Sequence, residues 1–317
     1  MLTVLLSAHI AEAQARLSAA FPDTRFVALP KSGEVPPEGA EAVVLFRCAM
    51  SKPELQTTLA GAPALRWLHS CTAGFDQLLV PEITERDLVV TRSAATHHIP
   101  ISEWVLAYMF LMTKRFPDLL KAQREHRWDR LEMEEIGGKT VGIVGAGAIG
   151  TQVAMRCRPL GMRVIATKRS PQPLPEYDEV LGADQLPRLL AESDYVVLAC
   201  PLTTETRGMI AEPQLRLMKP TAFLLNIARG GLIVDDDLIR ALREGWIAGA
   251  CLDAFAQEPL PEDSPLWDVE RLVITPHASS SSPLVMQRAE EEFVANLRRY
   301  LAGEPLANRL REPSLGY

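Results

Sequence analysis

The sequence predicts an α/β protein of two domains, each built on a parallel sheet. Three observations carry this reading. Short β-like runs alternate with helical stretches along the chain. The runs form two sets, one before Gly145 and one from Val141 onward. The second set opens on Thr140-Val-Gly-Ile-Val-Gly-Ala-Gly-Ala-Ile-Gly150, where an apolar run ends in Gly145-x-Gly147-x-x-Gly150 and leads into a helix-compatible segment. A length of 317 residues suffices for two domains with their own cores.

In the first set the expected strands are 2–6, 25–29, 42–46, 65–70 and 88–91. In the second they are 141–144, 163–167, 195–200, 222–227, 249–253 and 272–275. Residues 101–127 carry a helical apolar pattern (Trp104, Val105, Tyr108, Met109, Leu111, Met112) able to connect the domains. Pro283–Leu301 reads as a final amphipathic helix that packs locally or returns to the first domain. Ser279–Ser282 reads as a turn, a helix cap or a loop beside a ligand. The expected domains are therefore 1–98 with 284–317, and 99–283.

A net charge of -7 argues against a nucleic-acid surface. The short apolar start, Met1-Leu-Thr-Val-Leu-Leu-Ser7, lacks basic residues and reads as a first strand rather than a signal peptide. No apolar run approaches membrane-spanning length. Cys48, Cys71, Cys157, Cys200 and Cys251 are scattered and without a CxxC pair. They are expected to be buried reduced thiols in a cytoplasmic protein, with neither a metal site nor a disulfide framework.

The glycine-spaced turn has the form of a dinucleotide site. Gly145 allows the tight turn, Gly147 lets backbone approach a pyrophosphate, and Gly150 lets helix and strand pack closely. The N–H groups and dipole at the helix start then hold the anion. The bland alternative is a glycine-rich structural turn. After the next strand the chain reads Ala166-Thr-Lys-Arg-Ser170, without the acidic residue that would bond ribose hydroxyls. Lys168, Arg169 and Ser170 offer two cations and a hydroxyl for a 2′-phosphate, so NADP(H) is favoured and NAD(H) stays open. A solvated basic loop is the bland reading.

Three later motifs each follow or end an expected strand: Leu225-Asn-Ile-Ala-Arg-Gly-Gly231, Cys251-Leu-Asp-Ala-Phe-Ala-Gln-Glu-Pro-Leu260 and Ile274-Thr-Pro-His-Ala278. Ligands of open α/β sheets bind beyond the carboxyl ends of strands, so Arg229, Glu258 and His277 could converge. Each alone reads as structural: a turn arginine, a loop glutamate, a loop histidine.

With these motifs the chain resembles the D-isomer-specific 2-hydroxyacid dehydrogenases over nearly its whole length. Thr72-Ala-Gly-Phe-Asp76, Gly137-Gly-Lys-Thr-Val-Gly-Ile-Val-Gly145 and Pro201-Leu-Thr-Thr-Glu-Thr-Arg207 add to the likeness. The resemblance implies two Rossmann-like or flavodoxin-like domains with the active site in the cleft between them. It also implies a homodimer, associating through residues 101–127, and reduction of a small 2-keto acid such as glyoxylate or hydroxypyruvate. It assigns His277 as proton donor, Glu258 as its orienting partner and Arg229 as the group that binds the carboxylate and polarises the carbonyl. The substrate set it implies is Arg47, Ala73 and Gly74. The cofactor set is Gly145, Ala146, Gly147, Ala148, Ile149, Gly150, Lys168, Arg169, Ser170, Pro201, Thr206, Ala228, Asp253 and Ser280, with Asp253 near the nicotinamide carboxamide.

His97 and His98 are expected at a hinge or rim, and His9, His69 and His126 to be structural or exposed. Lys168 stands where NAD-using relatives carry Asp. No long extension follows Tyr317, which weakens feedback control of the phosphoglycerate dehydrogenase kind without excluding that substrate. Two other readings remain: a dinucleotide-sensing binding protein, and a related enzyme of formate or phosphite oxidation.

Overall fold

Apolar runs in the first third of the chain become one parallel sheet. Its elements are β1 (Leu2–Leu6), α1 (Gln14–Ala20), β2 (Thr24–Ala28), β3 (Val44–Arg47), α2 (Lys52–Gly61), β4 (Trp67–Ser70), α3 (Pro81–Glu85) and β5 (Val89–Arg92). The strand order is β2-β1-β3-β4-β5, the flavodoxin-like doubly wound order. The α2 helix starts where Ser51 and Glu54 cap each other's backbone N–H. This computed structural model describes residues 1–72, 78, 80–86, 88–94 and 96–310. Ala73 and Gly74 lie outside the described residues.

The second sheet holds β6 (Thr140–Val144), β7 (Arg163–Lys168), β8 (Glu179–Gly182), β9 (Tyr195–Leu198), β10 (Phe223–Asn226), β11 (Gly249–Leu252) and β12 (Leu272–Ile274). All pairings are parallel, in the order β12-β11-β10-β9-β6-β7-β8. Its helices are α4 (His98–Thr113), α5 (Phe116–Arg124), α6 (Ala148–Cys157), α7 (Leu186–Glu192), α8 (Glu212–Leu215) and α9 (Asp235–Glu244). The last helix, α10 (Pro283–Leu301), belongs with the first sheet. The chain thus divides into one unit of Met1–His97 with Ser282–Tyr317 and another of His98–Ser281.

Alternation along each strand gives each sheet two apolar faces. In the first unit Leu5, Leu45 and Leu68 face Leu55 and Leu59 of α2. Val4, Phe46 and Trp67 face Phe293 and Leu297 of α10, with Phe46 and Phe293 rings stacked at 4.2 Å. In the second unit Val141, Ile143 and Val197 pack on Val105, Met109, Val153 and Ala154, while Val196, Leu224 and Leu252 pack on Leu238 and Leu242. Among the described residues no helix is long and apolar enough to cross a membrane.

The structure departs from sequence expectation in three places. The 101–127 segment is two helices, because Arg115 takes a left-handed φ of 52° and Pro117 opens a new first turn. β8 was not expected: it is a short edge strand after Pro171, Pro173 and Pro175, without a clear apolar run. Cys48 and Cys71 are bonded as a disulfide rather than reduced. The sheet explains the pairing. Arg47 of β3 lies beside Ser70 of β4, so the residues that follow them are lateral neighbours with Cα atoms 5.2 Å apart. Their separation of 23 residues in sequence conceals this. Cys157, Cys200 and Cys251 are free, and burial pushes the thiol of Cys200 up to about 11 and that of Cys157 to about 12. Alkylation under denaturing, non-reducing conditions is expected to label three of five cysteines; labelling of all five would contradict the bond.

His69 is fully buried between Thr91 Oγ1 (2.7 Å) and Ser93 Oγ (3.0 Å), and Trp67 Nε1 donates to the same Thr91 hydroxyl. Burial pushes the imidazole down to about 3. Between that value and the unfolded value near 6.5 the native state binds fewer protons than the unfolded chain. Stability from this site is therefore complete above about pH 6.5 and lost as pH falls towards 3, by on the order of 4 kcal/mol. Denaturant midpoints measured from pH 7 to pH 4 should fall for the parent and fall less steeply for His69→Gln; parallel slopes would refute the assignment.

Candidate active site

Register pairing in the second sheet sets Val144 beside Thr167 and Leu198, Leu198 beside Asn226, Asn226 beside Leu252, and Leu252 beside Ile274. These residues form one row near the carboxyl edge. The glycine turn, Lys168-Arg169-Ser170, Pro201, Arg229, Glu258 and His277 all follow that row in their respective loops. The order reverses between β6 and β9, so the glycine turn sits at the switch point where doubly wound sheets open a crevice.

Each fingerprint glycine has its own geometric reason. Gly145 takes φ 111°, and a Cβ there would lie 2.9 Å from the Ala199 carbonyl. A Cβ on Gly150 would lie 2.3 Å from the Gly145 carbonyl oxygen, so helix and turn touch backbone to backbone. A Cβ on Gly147 would meet nothing within 4 Å. Gly147 caps the ten-residue α6 without side-chain help and is exposed with Ala148, while Ala146 is buried and Ile149 half-buried. An open, side-chain-free approach to a helix start fits a dinucleotide pyrophosphate. Lys168 ends β7 half-buried; Arg169 and Ser170 are exposed beyond it. The next loop is closed by Thr206, whose hydroxyl donates to Pro201 O (2.8 Å) and accepts from Thr203 N (2.7 Å).

The loop after β10 is shaped by Asn226, a residue that sequence reasoning passed over. Its fully buried amide donates to Arg229 O (2.9 Å) and accepts from Ala228 N (3.0 Å). Arg229 is half-buried and donates to Ala228 O (2.7 Å). A Cβ on Gly230 would lie 1.9 Å from the Phe255 carbonyl carbon, so this loop presses directly against the one that carries Glu258. Phe255 N donates to Glu258 Oε1 (2.9 Å), and Glu258 Oε2 meets His277 Nδ1 at 2.8 Å. The Glu258-Pro259 peptide is cis. With Nδ1 engaged, Nε2 is the nitrogen His277 can offer to another molecule, and both side chains of the pair are partly exposed.

Asp253 was expected beside the nicotinamide. It is buried, and its carboxylate accepts from Thr275 Oγ1 (2.6 Å), Ala278 N (2.8 Å) and Ser279 N (2.9 Å). Ser280 sits in the following turn, closed by Ser281 N donating to Ala278 O (2.9 Å). In the other unit, Arg47 is 1% exposed; it donates to Ser70 Oγ (3.3 Å), Thr72 Oγ1 (3.2 Å) and the Met50 carbonyl. Burial pushes its guanidinium down to about 10. His97 Nε2 bonds Cys71 O at 2.8 Å. Among the described residues no group of three His, Cys, Asp or Glu side chains could hold a metal.

Comparison with known proteins gives this arrangement a context. Residues 106–279 match the family described as D-isomer specific 2-hydroxyacid dehydrogenase, NAD binding domain. A glyoxylate reductase of Korarchaeum cryptofilum is 38% identical over 254 residues, covering 77% of this chain and 75% of its own. The solved D-isomer specific 2-hydroxyacid dehydrogenase of Xanthobacter autotrophicus Py2, in complex with NADPH and MES, superposes with a TM-score of 0.87 at 32% identity, over 100% of this chain and 99% of its own. The NADPH-dependent glyoxylate/hydroxypyruvate reductase of Sinorhizobium meliloti, solved with NADP and sulfate, superposes with a TM-score of 0.85 at 25% identity over 100% of both chains.

The second and third glycines of the fingerprint should separate folding from binding. Gly150→Ala, forced against the Gly145 carbonyl, is expected to lower stability by about 1–3 kcal/mol. Gly147→Ala should leave the melting temperature within a degree or two, by the rule that exposed open sites tolerate substitution, yet weaken dinucleotide binding at least ~10-fold by blocking backbone approach. Thermal melts and fluorescence titration of NADPH would check both; equal effects on both properties would contradict the division.

Proposed function

The chain belongs to the D-isomer-specific 2-hydroxyacid dehydrogenase family, and on that premise we propose that it reduces a small 2-keto acid, such as glyoxylate or hydroxypyruvate, with NADPH. The observation that carries this reading is the Glu258–His277 pair, with Nδ1 engaged and Nε2 left to offer. A nicotinamide dinucleotide held at the Gly145–Gly150 turn would supply the hydride that the keto carbon takes up. His277 then gives its Nε2 proton to the keto oxygen, which completes the 2-hydroxy acid. Glu258 holds the ring so that this proton faces outward, and Phe255 N holds Glu258. Arg229 binds the substrate carboxylate and polarises the carbonyl with its planar, permanently charged fork. To substrate binding we also assign Arg47, which donates to Thr72 Oγ1, and, as the family likeness implies, Ala73 and Gly74.

Preference for NADPH is supported by the basic end of β7 and by the missing carboxylate there. It is also supported by the NADP(H) held in the two similar solved structures. Residues 99–283 then form the dinucleotide domain, and 1–98 with 284–317 the substrate domain. The protein is a homodimer. Support for the dimer comes from apolar side chains left in solvent in and just after the connecting segment: Phe116, Leu120 and Trp128, the last 93% exposed.

Initial rates with glyoxylate, hydroxypyruvate, pyruvate and phenylpyruvate, each with NADPH and NADH, test the reaction. His277→Ala is expected to lose ~10²–10⁴ in kcat while still binding dinucleotide. No turnover of any 2-keto acid by the parent would overturn the reading. Lys168→Ala with Arg169→Ala should cut the NADPH:NADH ratio of kcat/KM by ~10-fold or more, as the loss of ionic contacts to a phosphate predicts; an unchanged ratio would overturn the cofactor assignment. Sedimentation equilibrium should give twice the mass of the chain, and a monomer would refute the dimer.

A further inference from the structure

The catalytic role given to His277 rests on a ring that stands on an unfavourable backbone. Its φ of 51° lies in the left-handed region, which residues with a Cβ rarely adopt. A loop residue in that region relaxes unless its surroundings hold it there. Glu258 cannot supply the hold alone, because both partners are partly exposed and a single hydrogen bond between flexible side chains leaves the backbone free to rotate.

The hold comes from the other side of the loop. The Asp253 carboxylate, 1% exposed, accepts from Thr275 Oγ1 two residues before His277 and from the N–H groups of Ala278 and Ser279 directly after it. Thr275 is tied to the sheet through Thr275 N to Leu252 O (3.0 Å), and His277 N turns back on Thr275 O (2.9 Å). A buried carboxylate must have its lone pairs satisfied, which makes the grip on both flanks of His277 costly to release.

We propose that Thr275 is a positioning residue for the reaction: its hydroxyl, through Asp253, clamps the 275–279 loop and keeps His277 in register with Glu258. The proposal rests on the reading of His277 as proton donor. It gives Asp253 a task its place in the sequence did not suggest, since its oxygens are engaged by the loop. Side chains that hold a reacting group affect the rate steeply, because a displacement of about 1 Å costs up to ~10²-fold.

The test uses Thr275→Val, which removes the hydroxyl at nearly constant shape, and Thr275→Ser, which restores it. Three readouts are taken on the full chain: kcat and KM with glyoxylate and NADPH, the melting temperature, and the ring ¹⁵N shifts of His277 without dinucleotide. Glu258→Gln provides the shift of a ring that has lost its carboxylate. The expected result for Thr275→Val is a kcat lower by ~10–100-fold, with KM for NADPH unchanged, the His277 shifts moved towards those of Glu258→Gln, and a melting temperature lowered by the lost bond to a buried carboxylate yet still above the assay temperature. Thr275→Ser should recover most of the rate and the parental shifts. An unchanged kcat in Thr275→Val, an equal fall in both variants, or a fall accompanied by lost NADPH binding, parental His277 shifts or unfolding at the assay temperature would overturn the proposal. If the parent reduces no 2-keto acid, the reaction is refuted separately, and the His277 shifts alone decide whether Thr275 positions the ring.

Discussion

Parallel pairing in register is the constraint on which the rest depends. When every strand of a sheet runs the same way, every strand end reaches the same edge, and every loop that leaves a strand starts there. In the second unit this edge gathers residues that lie up to 132 positions apart, from Gly145 to His277. The pairing is held by backbone hydrogen bonds and by apolar side chains on both faces, so it has no need of the polar loop residues. Those residues are left to do chemistry.

The loops at that edge are then shaped by buried polar groups. Asn226 and Asp253 follow the same plan: a side chain at or just past a strand end is enclosed and satisfies the backbone of the loop that follows. Arg47 and His69 do the equivalent in the first unit, one joining the ends of β3 and β4, the other bridging hydroxyls on β5 and the segment beyond it. An unsatisfied buried polar group is costly, so such residues allow few alternative loop conformations. Rigid loops of this kind suit a site where a proton donor must meet a reacting oxygen within hydrogen-bond reach.

Glycine sets the closeness of approach that side chains would forbid. Gly150 brings α6 onto the turn, and Gly230 brings the arginine loop onto the loop of Glu258. Gly147 is different, since nothing lies where its Cβ would be. Its lack of a side chain gains no packing within the chain, which is the signature of space kept for something else.

Much of this was legible in the residues. The two-set alternation of strands and helices, the fingerprint turn and the final helix at Pro283–Leu301 follow from periodicity and from turn chemistry, which act locally and leave a local record. The resemblance pointed to Glu258 and His277 as a pair, and the loops deliver them 2.8 Å apart. What only the tertiary structure decided are facts about neighbours that sequence separation hides. The Cys48–Cys71 bond depends on which strands lie side by side. The edge strand β8 depends on a sheet being there to accept it. The engagement of Asp253 by the 275–279 loop depends on β11 and β12 ending together. Local rules specify which elements form; burial and hydrogen-bond satisfaction, which act across the fold, decide which side chains those elements bring into contact.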